Sequence, residues 1–240
     1  MARRFPLMLT TVIVLALVAL ALLIGAAWGL WAPLPARLEG FLIALAGGAL
    51  IVSIMSELVE RAAPHIPWLV LAASLIAGAG AFVLLDKFVK RKLGAESGGG
   101  LLVSVTLDGI PENLALGVAL IGASGLEVAA LAGSIFLSNL PEAAGGAKGM
   151  LDDGYSKTKV FAIWTATALL LSFAALLGYL ALDQASEQVL GPIRVFAAGV
   201  VAASLAIEVF PKAYAQDSYA TGFAVAIGLV AAQGLGQLAG

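Results

Sequence analysis

The chain is 240 residues long, 61% of them hydrophobic and only 12% charged, with a mean hydropathy of +1.03. A soluble domain carries about 25% charged residues, so this composition excludes an ordinary water-soluble enzyme and marks an integral membrane protein. The net charge of −2 offers no surface for nucleic acid, and the absence of cysteine excludes disulfides, thiolate metal sites and thiol catalysis.

A spanning helix needs about 20 mostly apolar residues. Runs of that kind predict eight spans, at roughly 7–31, 38–61, 67–90, 100–122, 126–147, 159–182, 191–213 and 218–239. They form a single all-α membrane domain over 1–240, with three spans at 7–90, an inside linker at 91–100 and five spans at 100–239. The first run follows Arg3-Arg4 and exceeds the apolar core of about 7–15 residues found in signal peptides, so it is taken as a span. The only histidine, His65, sits between Pro64 and Pro67 in a short turn and reads as a polar loop residue. Gly94 to Gly100 reads as a flexible loop, and Gly122-Ala123-Ser124-Gly125 as a tight turn that makes the fourth and fifth spans antiparallel neighbours. Alanine and glycine pervade the spans, as close backbone packing in lipid requires.

Positive charge sets the expected orientation. With the N-terminus outside, the inside loops hold Arg37, Lys87, Lys90, Arg91, Lys92, Lys148, Lys157, Lys159 and Lys212, against Arg3, Arg4, Arg61 and Arg194 outside. Arg3-Arg4 alone favours the opposite orientation, but the summed bias places both termini outside.

The chemistry concentrates in two matched stretches. Asp108-Gly109-Ile110-Pro111-Glu112 lies in the fourth span and Ser138-Asn139-Leu140-Pro141-Glu142 in the fifth. Asp108 and Glu112, like Ser138 and Glu142, are four residues apart and share a helix face. Each proline leaves the carbonyl four residues earlier without its donor, which predicts a kink and a free carbonyl in each helix. An ionised carboxylate at the bilayer centre costs about 2.5–3.5 kcal/mol, and basic residues stand only at the span ends. The acids must therefore be protonated, or share a cation. Carboxylate, amide, hydroxyl and carbonyl oxygens suit a hard or borderline divalent ion. Alternatively, Pro-Glu occurs twice by chance and each acid bonds to a neighbouring helix. Glu57 and Glu208, near the ends of the second and seventh spans, are either pathway acids at opposite mouths or interfacial charges.

On these residues the chain resembles the ZIP family of divalent-metal transporters, over nearly its whole length. The fourth-span signature His-Asn-x-Pro-Glu-Gly is matched by Asp108 through Asn113, and the fifth-span signature by Ser138 through Ala143. The second-span pattern resembles Ala46-Gly47-Gly48 through Glu57, and the seventh-span pattern Glu208 through Lys212. The resemblance implies an eight-span bundle with both termini outside and a homodimer. It also implies a transport site in which Glu112 and Glu142 are shared ligands, Asp108 replaces a histidine, Asn139 is a further ligand and Ser138 a weak one. Gly109 supplies no ligand and the sixth span no acid, so one metal is expected rather than two. A donor set without nitrogen leans from zinc toward iron(II) or manganese.

The expected function is a divalent-cation transporter in the inner (plasma) membrane of a bacterium, with the metal as cargo and no prosthetic group. The alternatives are the same scaffold carrying another solute or a proton-coupled cargo, and a non-transporting membrane protein. An intramembrane protease is not expected: an aspartyl type needs two deep aspartates where only Asp108 is deep, and no span offers a serine a basic partner at depth.

Overall fold

The computed structural model describes residues 4–32, 35–93, 98–121, 129–182 and 184–239, and among them all regular structure is helical. The helices are α1 (Arg4–Trp31), α2 (Ala36–Ile54), α3 (Trp68–Leu93), α4 (Gly98–Ala119), α5 (Ala129–Asp152), α6 (Lys157–Leu182), α7 (Glu187–Ser204), α8 (Phe210–Gln216) and α9 (Ser218–Ala239). Two of them do not stop where the α-helix ends. A π-helical turn, Met55–Glu60, carries α2 onward, and another, Leu205–Val209, joins α7 to α8. The result is eight rods, close to the eight apolar runs. Six rods are long and apolar enough to cross a membrane, by length and composition: 12–31, 36–65, 68–88, 157–182, 187–216 and 218–237. Large apolar side chains stay exposed along their outer faces, among them Leu69, Ile76 and Leu84 on α3, Leu169 and Phe173 on α6, and Phe223 and Val230 on α9. Such a surface is stable against lipid and not against water, in keeping with the apolar composition.

The rods α2, α4, α5 and α7 stand together in the middle, and each is backed by one outer helix: α2 by α9, α4 by α6, α5 by α1 and α7 by α3. Helices α2 and α7 are antiparallel, because Gly40 at the start of α2 meets Gln216, while Gly191 at the start of α7 meets Ile66 beyond the end of α2. Helix α5 also runs against α2, with Ser134 near its start beside Ser53 and Gly145 near its end against Glu39. Arg61 reaches Ala119 at the end of α4, so α4 and α5 are antiparallel. The bundle thus has one end marked by Arg194 and another marked by Lys212.

Glycine sets the contacts between inner and outer rods. A Cβ at Gly48 of α2 would collide with the Val225 carbonyl of α9, and one at Gly228 of α9 with the Leu45 carbonyl of α2. The α7–α3 pair repeats this: Gly199 meets the Leu75 carbonyl and Gly78 the Phe196 carbonyl. In the same way Gly29 of α1 sits on Ala144 of α5, and Gly178 of α6 on Leu114 of α4. In lipid there is no hydrophobic force between helices, so close dispersion contact is what holds such pairs.

These contacts expose an inverted repeat. Ala46, Gly48, Ser53, Glu57, Arg61 and Ala62 on the α2 rod correspond in order and spacing to Ala197, Gly199, Ser204, Glu208, Lys212 and Ala213 on the α7–α8 rod. The π turns fall at matching places, each with its glutamate inside. Helices α1, α2, α3 and α4 thus match α6, α7, α9 and α5, running in the opposite sense, an architecture shared by many membrane carriers.

The two prolines do not break their helices: Pro141 lies inside α5 and Pro111 inside α4, both continuous. The helix widens into π turns on two other rods. The linker residues 94–97, the turn at 122–128 and the side chain of Asp108 lie outside the described residues.

Replacing Gly48 or Gly199 by leucine would force apart two backbones in contact and should destabilise the bundle by more than about 1–3 kcal/mol. Gly234, which faces open space, should accept leucine without effect. Thermal unfolding in detergent checks this, and a tolerant Gly48 would contradict the seam.

Candidate functional site

The sequence-predicted residues divide between the middle and the ends of the bundle. On α5, Ser138 and Glu142 face each other as their four-residue spacing requires, with Ser138 Oγ donating to Glu142 Oε1 at 2.9 Å. Ser138 and Asn139 are buried, and Asn139 Nδ2 has no hydrogen-bond partner among the described residues. On α4, Glu112 is 5% exposed, and the neighbouring Asn113 turns its amide back onto the Gly109 carbonyl at 2.8 Å. Gly109 leaves room for Leu171 of α6, so that position serves packing. Among the described residues, no three His, Cys, Asp or Glu side chains gather closely enough to hold a metal ion by themselves. The contact that does form is between the Ser138 hydroxyl and the Glu142 carboxylate, while Asn139 and, on the adjacent α4, Glu112 are buried.

The sequence Gly145-Gly146, one turn beyond Glu142, shapes the surroundings. At Gly145 the missing side chain admits Glu39 from α2, whose carboxylate rests against the α5 backbone. At Gly146 it admits Trp164 from α6, the largest fully buried side chain among the described residues. Glu39 in turn lies 3.0 Å from Lys212 Nζ. The packing of α8 against α2 thus brings a lysine far away in sequence to Glu39, whose carboxylate rests on the helix that carries Glu142.

Glu57 and Glu208 lie toward opposite ends of the bundle, and each has a basic neighbour. Arg61 Nη2 is 4.0 Å from Glu57 Oε2. Glu208 is paired with Lys90 of α3, which also lies 3.1 Å from Asp86. These pairs join Glu57 to its own rod and Glu208 to α3.

At the other end two arginines close on α4. The last carbonyls of a helix lack intrahelical donors and carry the negative end of its dipole. Arg61 Nη1 donates to the Ala119 carbonyl at 3.3 Å, and Arg194 Nη2 to the Ile121 carbonyl at 3.5 Å. Arg194 is fully buried, and its Nη1 bonds Glu187 Oε2 at 2.5 Å. The symmetry of the repeat fails here, because the residue of α2 corresponding to Arg194 is Ile43. The sequence motifs do not point to Glu39, Lys212 or Arg194 as groups of the site. The repeat relating Lys212 to Arg61 is legible in the sequence, whereas the pairing of Lys212 with Glu39 joins distant segments and leaves no local signal.

Searches against known protein families and curated proteins found no match to this chain.

Arg194→Met should lower stability by about 1–3 kcal/mol, since the α4 carbonyls and Glu187 lose a charged donor. Glu187→Gln, at a half-exposed position, should cost less. Chemical or thermal unfolding distinguishes them, and equal stability of Arg194→Met and wild type would show that the arginine does not clamp α4.

Proposed function

We propose that the chain is a carrier that moves a divalent metal cation across a membrane, with the site at the α4–α5 seam. The observation that carries this reading is Glu142, held by Ser138 on a middle helix, with the buried Asn139 next to Ser138 in the chain and the buried Glu112 on the neighbouring rod. Carboxylate, hydroxyl and amide oxygens in the middle of an apolar bundle suit zinc, iron(II) or manganese. The inverted repeat adds support, since two opposed halves around a central site are what alternating access requires. The resemblance of the Pro-Glu motifs to those of the ZIP family points the same way. It extends the reading to eight spans, both termini outside, Asp108 as a further ligand, and a homodimer in a bacterial inner membrane. Glu57 and Glu208 then guard the two mouths.

A second reading, the same scaffold moving another solute or coupled to protons, is favoured by one observation: Lys212 is already paired with Glu39, whose carboxylate rests on Gly145, three residues from Glu142. The two differ in whether a divalent metal binds in a manner that depends on Glu112.

In sealed vesicles, Glu112→Ala and Glu142→Ala should each reduce uptake of manganese, iron(II), zinc or cadmium more than about tenfold, as losing even an indirect metal partner costs 10–100-fold. Their melting temperatures should stay near that of the wild type. Undiminished uptake in both variants would refute the metal-carrier reading.

A further inference from the structure

Lys212 is placed differently from the arginine that corresponds to it. It follows Pro211 on α8, one turn beyond Glu208, and its counterpart in the inverted repeat is Arg61. Arg61 stays with the glutamate of its own rod, Glu57, and bonds a helix-end carbonyl. Lys212 does neither. Glu208 is taken by Lys90, and Lys212 crosses to α2, where its Nζ lies 3.0 Å from Glu39 Oε1. That Nζ is shielded from solvent, and among the described residues no acceptor meets it with hydrogen-bond geometry. The contact with Glu39 is thus an ion pair, the one this ammonium makes among the described residues. The Glu39 carboxylate itself rests on Gly145, three residues and less than one turn from Glu142 on the same helix. Where Glu39 stands, the other half of the repeat has Leu190, so the acid that draws Lys212 inward belongs to this half alone.

We propose that Lys212 is a tethered cation of the carboxylate site. Its ammonium compensates Glu39 and Glu142 while no transported cation is present, and a divalent cation arriving at Glu142 must displace that compensation. Glu39 is the resting acceptor that draws the ammonium away, so the Glu39–Lys212 pair sets how tightly the site holds its cargo. The inference rests on the metal-carrier reading and names the residues that tune affinity within it.

Two substitutions then have opposite signs. Lys212→Gln removes the competitor and should tighten metal binding at Glu142. Glu39→Gln removes the acceptor that restrains Lys212, commits the ammonium to Glu142, and should weaken binding. At partly buried separations of this kind, a unit charge alters affinity by about tenfold or more. A purely structural role for the pair would weaken binding in both variants alike.

The experiment is Mn²⁺ binding to the full chain purified in detergent, with wild type, Lys212→Gln, Lys212→Arg, Glu39→Gln and Glu142→Gln measured in parallel and their folding checked by thermal melting. The expected result is about tenfold tighter binding for Lys212→Gln, near-wild-type binding for Lys212→Arg, and weaker binding for Glu39→Gln. Glu142→Gln should abolish binding. Unchanged or weaker binding in Lys212→Gln overturns the inference while leaving the carrier reading intact. Should Lys212→Gln fail to fold, Glu39→Gln decides: unchanged or tighter binding there overturns it. Absence of Glu142-dependent Mn²⁺ binding in the wild type overturns both.

Discussion

A carboxylate taken out of water into an apolar bundle costs more than any single packing contact returns, and the inner rods are arranged around that constraint. Glu142 is met by a hydroxyl from its own helix, and Lys212 is held at Glu39 beside the same helix. Glu39, which brings Lys212 there, reaches the site only because Gly145 leaves a gap in α5. The same reasoning explains the ends. Glu208 has Lys90, Glu57 has Arg61, and the exposed carbonyls of α4 have two guanidinium groups. Charge in this protein is sparse, and at each of these places a basic side chain compensates it.

The glycine seams make such compensation possible. Because Gly48, Gly78, Gly199 and Gly228 bring backbones into direct contact, the outer helices lie close enough to leave the inner four sharing one interior. The repeat means that the two halves use the same seams in opposite directions. Where the halves differ, the difference is in charge: Arg194 stands against Ile43, and Glu39 against Leu190. One end is held by arginines on α4, and the other by a lysine that bridges α8 to α2.

Much of this is legible in the sequence. Hydropathy locates the rods to within a few residues, because length and apolarity are local properties. The four-residue spacing of Ser138 and Glu142 foretells their hydrogen bond, since helix geometry alone decides it. Pro111 and Pro141 sit in uninterrupted helices, while π turns occur at Met55–Glu60 and Leu205–Val209, each followed within four residues by a proline, Pro64 and Pro211. The repeat of Gly48, Ser53 and Glu57 in Gly199, Ser204 and Glu208 is present in the sequence, but hydropathy conceals it among similar residues. The Lys212–Glu39 contact has no such trace, since it depends on how two rods far apart in the chain pack together.

Anomalous diffraction from crystals of the full chain grown with Mn²⁺ or Cd²⁺ tests the central claim most directly. The expected result is a peak at the α4–α5 seam within coordination distance of Glu142, lost in Glu142→Gln. Ordered crystals with no peak at that seam, or with peaks only at the helix ends, would contradict it.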